Sequence, residues 1–164
     1  MSLLAIAMGL PAIADLATDN ADWQVFAGSA AVALFVGVSL MLATKTSSRS
    51  NLNLRQAFLL TTLSWVAVAA VGALPFMFSE LELSITDAFF ESMSGITTTG
   101  STVILGLDHA PPGILLWRAL LQWLGGVGII VMAMAMLPML SVGGMQLFRT
   151  EAFDAPDKVL PRAA

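Results

Sequence analysis

The stretch SGITTTGST, residues 94–102, sets three consecutive threonines and a glycine in the middle of strongly apolar sequence. Each threonine brings a backbone carbonyl and a hydroxyl, and glycine allows the backbone angles that turn successive carbonyls toward one side. Oxygens arranged in that way can replace the hydration shell of an alkali cation. Thr97, Thr98, Thr99 and Gly100 are therefore the candidate ion-binding residues, with potassium, or alternatively sodium, expected at Thr98 and Thr99. Threonine-rich stretches also form ordinary strands and loops, so the surrounding elements must decide between the readings.

Two further constellations could carry chemistry. Arg118 is the one base inside an apolar run, and it shares a helix face with Gln122, four residues on. An ionisable residue at membrane depth usually faces protein or a cavity. Pairing with Glu91 would let it brace the threonine loop, whereas snorkelling beside Trp117 and Trp123 is the plainer alternative. Ser92 or Ser94 with His109 could form an intramembrane hydrolase, but no GxSG elbow precedes a helix and no third orienting residue is evident. The GGVG at 125–128 lacks the Gly-Lys-Ser/Thr ending of a phosphate-binding loop. Its small residues fit close approach between helices instead. Met132, Met134 and Met136 scatter around a helix and are expected to pack or face lipid rather than bind soft metals. With no cysteine in the chain, thiolate metal sites and disulfides are excluded.

The elements that must position these residues belong to a membrane protein. Of the 164 residues, 57% are hydrophobic and 11% charged, and the mean hydropathy is +0.85. Apolar runs at 23–43, 56–78 and 113–140 each reach the roughly 20 residues that span a bilayer. The first apolar run, broken by Pro11, is too short to span and reads as the outer part of an incomplete helix, with a shortened hairpin as the alternative. Pro138, Gly143 and Gly144 are expected to end the last span, with MQLFRTEAF as an interfacial amphipathic piece.

Between the last two spans, residues 84–96 have an apolar stripe at helical spacing (Ala88, Phe89, Met93, Ile96) and a capping-box-like start at Ser84 and Asp87. At 1.5 Å per residue this helix is about 20 Å long, short of the ~30 Å hydrocarbon core. The chain then returns through Asp108, His109 and the Pro111–Pro112 pair to the side it came from. A re-entrant half-helix with an irregular loop is tolerated at membrane depth when the loop is buried in protein or lines a water-filled path. The negative end of the half-helix dipole favours a cation there.

Charge is sorted by side. Lys45, Arg49 and Arg55 follow the first span and Arg149, Lys158 and Arg162 the last, which places both segments in the cytoplasm. Asp15, Asp19, Asp22, Glu80, Glu82, Asp87, Glu91 and Asp108 then lie outward, where they would concentrate cations.

The segments DAFFESMSGITTTGSTV and LLWRALLQWLGGVGIIVMAMAMLPMLSVGGMQLFRTE, together with GALPFMFSE and RQAFLLTTLSW, resemble the membrane subunit of Trk-type potassium-uptake transporters, in the Trk/Ktr/HKT superfamily. The resemblance covers essentially the whole chain. It implies an all-α integral membrane fold in which a transmembrane hairpin precedes four helix–pore-helix–helix repeats of a potassium-channel-like kind, each giving one filter loop. On that pattern residues 1–50 are the hairpin, its first helix incomplete, with a cytoplasmic loop; 51–148 are the first repeat; and 149–164 begin a cytoplasmic linker. The expected function is potassium uptake across the bacterial plasma membrane, without enzymatic activity or a cofactor. The partners implied are membrane lipid, three further repeats of a longer parent chain, a second copy in a homodimer and a cytosolic nucleotide-binding regulatory subunit, with no nucleic acid. A non-conducting scaffold and a homotetramer of the short chain are the alternatives.

Overall fold

The computed structural model describes residues 1–44 and 54–153, with the backbone alone for residue 54 and for 135–153. The polar loop carrying Lys45 and Arg49, and the tail with Lys158 and Arg162, lie outside the described residues. The described chain is helical: α1 (Ser2–Ala17), α2 (Trp23–Thr44), α3 (Leu54–Gly72), α4 (Leu74–Phe78), α5 (Ile85–Ile96) and α6 (Pro112–Phe153), with a single 3-10 turn at Leu107–His109. Three helical stretches are long and apolar enough to cross a membrane: Trp23–Thr44, Arg55–Phe78 and Pro112–Met134. At 16 residues α1 is shorter than these, and Pro11 sits inside it without ending it.

The chain divides into two compact units, Met1–Gly128 and Ile129–Ala164. The described part of the second is the continuation of α6, whose backbone stays helical past Pro138 and both later glycines to Phe153. The helix thus runs on through the point where the span was expected to end. A proline removes one ladder hydrogen bond and can kink a helix rather than stop it.

In the first unit α1 and α2 form the hairpin. The buried faces are Leu4, Ala5, Met8, Pro11 and Asp15 on α1, and Phe26, Ser29, Ala33 and Gly37 on α2. Small side chains dominate the α2 face because lipid offers no hydrophobic drive for helix association, so close backbone approach must supply it. A Cβ on Gly37 would lie 2.8 Å from Ser2 Oγ and 2.9 Å from its amide nitrogen. The hairpin meets the rest of the unit through Phe26, whose ring packs edge-on against Trp117 of α6 at 6.3 Å and 72°.

The second predicted span is two helices rather than one. Pro75 has no amide to donate back to Val71, and the helix breaks between Gly72 and Leu74. The indole N–H of Trp117 donates to the Gly72 carbonyl at that break, 3.0 Å away. Trp117 is completely buried in this role and does not take the interfacial belt position of the plainer alternative, while Trp123 is 66% exposed midway along the Pro112–Met134 span.

Two carboxylates dock the hairpin onto the following helices. Asp15 Oδ1 accepts the Gly113 amide at 2.6 Å, capping the first turn of α6 from another helix. Pro112 occupies the first helical position, where its missing amide is no loss. Asp22 accepts the Glu80 amide at 3.1 Å and fixes the connection from α4 to α5. Both residues are buried, at 0% and 3% exposure, so Asp15 serves as a helix cap and Asp22 as a loop anchor rather than as part of an exposed cation-attracting surface.

Candidate functional site: a half-helix and its threonine loop

The half-helix is where the sequence placed it, within one residue. Ser84 caps its start: Ser84 Oγ accepts the Asp87 amide at 3.2 Å and donates to Asp87 Oδ2 at 2.7 Å. At its other end α5 is held between α3 and α6 by three glycines, one on each of the three helices. A Cβ on Gly72 would lie 2.5 Å from Ser92 Oγ, and one on Gly95 3.0 Å from Leu121 Cβ. A Cβ on Gly125 would overlap the Ile96 carbonyl. The expectation that the 125–128 glycines allow close approach is met most sharply at Gly125.

The helix ends in a Schellman arrangement. The Thr98 amide donates to the Gly95 carbonyl at 2.9 Å, the Thr99 amide to the Ser94 carbonyl at 3.0 Å, and the residue between the two turns is left-handed. That residue is Thr98, with φ of 60°. Glycine is the usual occupant, and a β-branched residue there costs on the order of 1–2 kcal/mol. Gly100 is left-handed as well, at φ 77°. Left-handed residues thus alternate with Thr97, at φ −82°, and Thr99.

Every amide of this segment is bonded inward. Thr97 N donates to Met93 O at 2.9 Å, and Gly100 N joins Thr99 N on the Ser94 carbonyl at 3.3 Å. The hydroxyls of Thr97 and Thr99 lie 2.9 Å apart, and Thr97 Oγ1 also donates to Met93 O at 2.8 Å. Among the described residues no hydrogen bond is accepted by the carbonyls of Thr97, Thr98, Thr99 or Gly100, and all four residues are exposed. The segment therefore has its amides satisfied within the turn and its carbonyls left without a protein donor among the described residues.

The returning limb is tied to the half-helix through Glu91. One carboxylate oxygen, Oε1, accepts Thr102 Oγ1 at 2.6 Å and the Val103 amide at 2.5 Å. The other, Oε2, forms an ion pair with Arg118 of α6. Glu91 is 1% exposed and Arg118 8%, so the pair is a buried junction of half-helix, loop and α6. The two residues that the sequence singled out for bracing are thus brought together. Gln122, on the same face as Arg118, has its Nε2 3.8 Å from where a Gly100 Cβ would be.

Ser92, Ser94 and His109 are not brought together. Ser94 Oγ donates to the Ser101 carbonyl at 2.7 Å, and Ser92 Oγ is buried against Gly72 without a hydrogen-bond partner. His109 is exposed in the 3-10 turn, and among the described residues no hydrogen bond joins it to either serine. A serine hydrolase has no assembled nucleophile and base here. Sequence reasoning also missed Thr102 as a Glu91 partner, Asp15 as the cap of α6 and Asp22 as the anchor of the Glu80 turn. For Asp22, burial is the largest influence and raises its pKa above the ordinary value. The Glu80 amide pulls it back, and the Glu80 and Asp15 carboxylates push it up again.

The family model described as TrkH, cation transport protein, matches residues 22–158. The Trk system potassium uptake protein TrkI of Halomonas elongata is 44% identical over 162 residues, covering 98% of this chain and 32% of the relative. The Trk system potassium uptake protein TrkH of Escherichia coli K12 is 48% identical over 145 residues, covering 88% and 30%. The crystal structure of the potassium transporter TrkH from Vibrio parahaemolyticus superposes with a TM-score of 0.78 at 40% identity, over 92% of this chain and 32% of that one. The chain spans about a third of the length of these relatives. A half-helix, a loop of free carbonyls and a match of this extent agree with one another: the chain belongs to the TrkH family of cation transport proteins.

Proposed function

We propose that this chain supplies one loop of a potassium-selective filter, with the carbonyls of Thr97, Thr98, Thr99 and Gly100 as the ion ligands. The observation that carries the reading is the inverted loop: its amides are consumed by the half-helix, while its four carbonyls accept nothing among the described residues. A dehydrated cation is a partner that such a row of free oxygens fits. The strained Thr98 supports it, because strain of this kind persists where the surroundings over-determine it and concentrates at functional sites. The α5 dipole ends at the loop with its negative pole, which favours a cation and opposes an anion.

One loop faces an ion from one side. The reading therefore includes three further repeats that complete the ring, a second copy of the assembly and a cytosolic nucleotide-binding regulatory subunit. The setting is the bacterial plasma membrane. Transport involves no bond-making and no cofactor. An inside-negative potential drives uptake with about 2.3 kcal/mol per charge per 100 mV.

The test is Gly100→Ala in the full-length transporter, read as the ratio of potassium to sodium flux. Alanine at φ 77° is strained by about 1–2 kcal/mol, and the carbonyl should rotate out of line and lower the ratio. An unchanged ratio in a transporter that reaches the membrane would remove the filter assignment.

A further inference from the structure

Ser94 makes three ties to the loop, each to a different consecutive residue. Its carbonyl accepts the amides of both Thr99 and Gly100, at 3.0 and 3.3 Å, and its hydroxyl donates to the carbonyl of Ser101 at 2.7 Å. Ser94 is buried, at 5% exposure, and the two residues that follow it are held against α6, Gly95 by Leu121 and Ile96 by Gly125. The run of unbonded carbonyls, Thr97 to Gly100, stops where the Ser94 hydroxyl takes up the next one.

We infer that Ser94 is the positioning residue that sets the length and register of the carbonyl row. Its hydroxyl removes the Ser101 carbonyl from the row, and its own carbonyl holds the last two amides so that the Thr99 and Gly100 oxygens stay free. Without the hydroxyl, the Ser101 oxygen becomes a fifth free acceptor and the limb beyond Gly100 loses its attachment to the half-helix. The loop is then free to adjust to a smaller ion. The inference rests on the filter reading above.

The test measures the potassium-to-sodium flux ratio in the full-length transporter for Ser94→Ala, Ser94→Thr, Ser92→Ala and Gly100→Ala, with thermal stability in detergent alongside. One neutral hydrogen bond typically carries a several-fold to tenfold effect, and Ser94→Ala should lower the ratio by that factor. Ser94→Thr, which keeps the donor, should restore the ratio. Ser92→Ala removes an equally buried hydroxyl that has no partner and should leave the ratio as it was. If Ser94→Ala does not reach the membrane, Ser94→Gly removes the same donor without adding volume, and an unchanged ratio in that variant overturns the inference. So does an equal loss in Ser92→Ala. A normal ratio in Ser94→Ala with a lowered ratio in Gly100→Ala overturns the role of Ser94 and leaves the filter standing. A normal ratio in Gly100→Ala overturns both.

Discussion

Gly125→Ala puts the contact between α5 and α6 under the most direct strain. An added Cβ would lie 2.7 Å from the Ile96 carbonyl carbon and 3.1 Å from its Cα, and would overlap the oxygen itself. Ordinary contact begins at 3.4 Å, so the carbon must retreat by at least 3.4 − 2.7, or about 0.7 Å, and the oxygen by more. Both partners are helix backbone, which cannot swing aside as a flexible side chain can. Overpacking of this kind typically costs about 1–3 kcal/mol. The Ile96 carbonyl belongs to the peptide that enters Thr97, so the shift is delivered to the base of the carbonyl row. The neighbouring glycines are built-in comparators: a Cβ on Gly126 meets only Thr98 Cγ2 at 3.9 Å, and one on Gly128 meets the Trp65 ring at 3.6 Å. Potassium uptake into depleted cells and thermal unfolding in detergent should both fall for Gly125→Ala. They should stay near the parent values for Gly126→Ala and Gly128→Ala. Equal behaviour of the three variants would refute the close-approach argument.

Other perturbations follow from the same geometry. Arg118→Gln leaves Glu91 buried without its counter-charge, a loss of about 3–5 kcal/mol when one partner of a buried pair is removed; Glu91→Gln with Arg118→Gln should recover part of it, and a fully additive double mutant in a stability assay would argue against the pair. Thr98→Gly relieves the left-handed strain and should raise stability by about 1 kcal/mol while lowering potassium selectivity, since it loosens the loop; a gain in both would count against a functional role for the strain. Asp15→Ala removes the α6 cap and should cost about 0.5–2 kcal/mol, whereas Asp15→Asn, which can still accept from Gly113, should cost less. Asp22 has a raised native pKa, so the folded state binds its proton more readily than the unfolded one. Its contribution is complete below the ordinary carboxylate pKa and is lost as pH rises through the raised value. Unfolding measured from about pH 4 to about pH 7 should show a steeper decline for the parent than for Asp22→Asn.

The half-helix was legible because three local signals coincided: a capping pair at Ser84 and Asp87, an apolar stripe, and a length too short to cross a bilayer. Glu91 and Arg118 were legible as partners because an ionisable group at membrane depth needs one. The Schellman ending was not, because its usual glycine is replaced by Thr98 and the two glycines nearby sit at other positions in the turn. Asp15 and Asp22 looked like members of an acidic surface because charge sorting counts residues by segment. Whether such a residue caps a helix 98 positions away depends on tertiary packing. Trp117 was misplaced for the same reason, since an indole N–H can be satisfied by a broken helix as well as by a membrane interface. The break at Ala73 carried a signal, Pro75, that the uninterrupted apolar run concealed.

The central claim is that an ion meets the carbonyls of Thr97, Thr98, Thr99 and Gly100. Anomalous scattering from crystals of the full-length transporter exchanged into thallium, a heavy stand-in for potassium, tests it most directly. The account predicts density in contact with those carbonyls that weakens in Gly100→Ala. Thallium bound elsewhere in the pore, with none beside this loop, would contradict it.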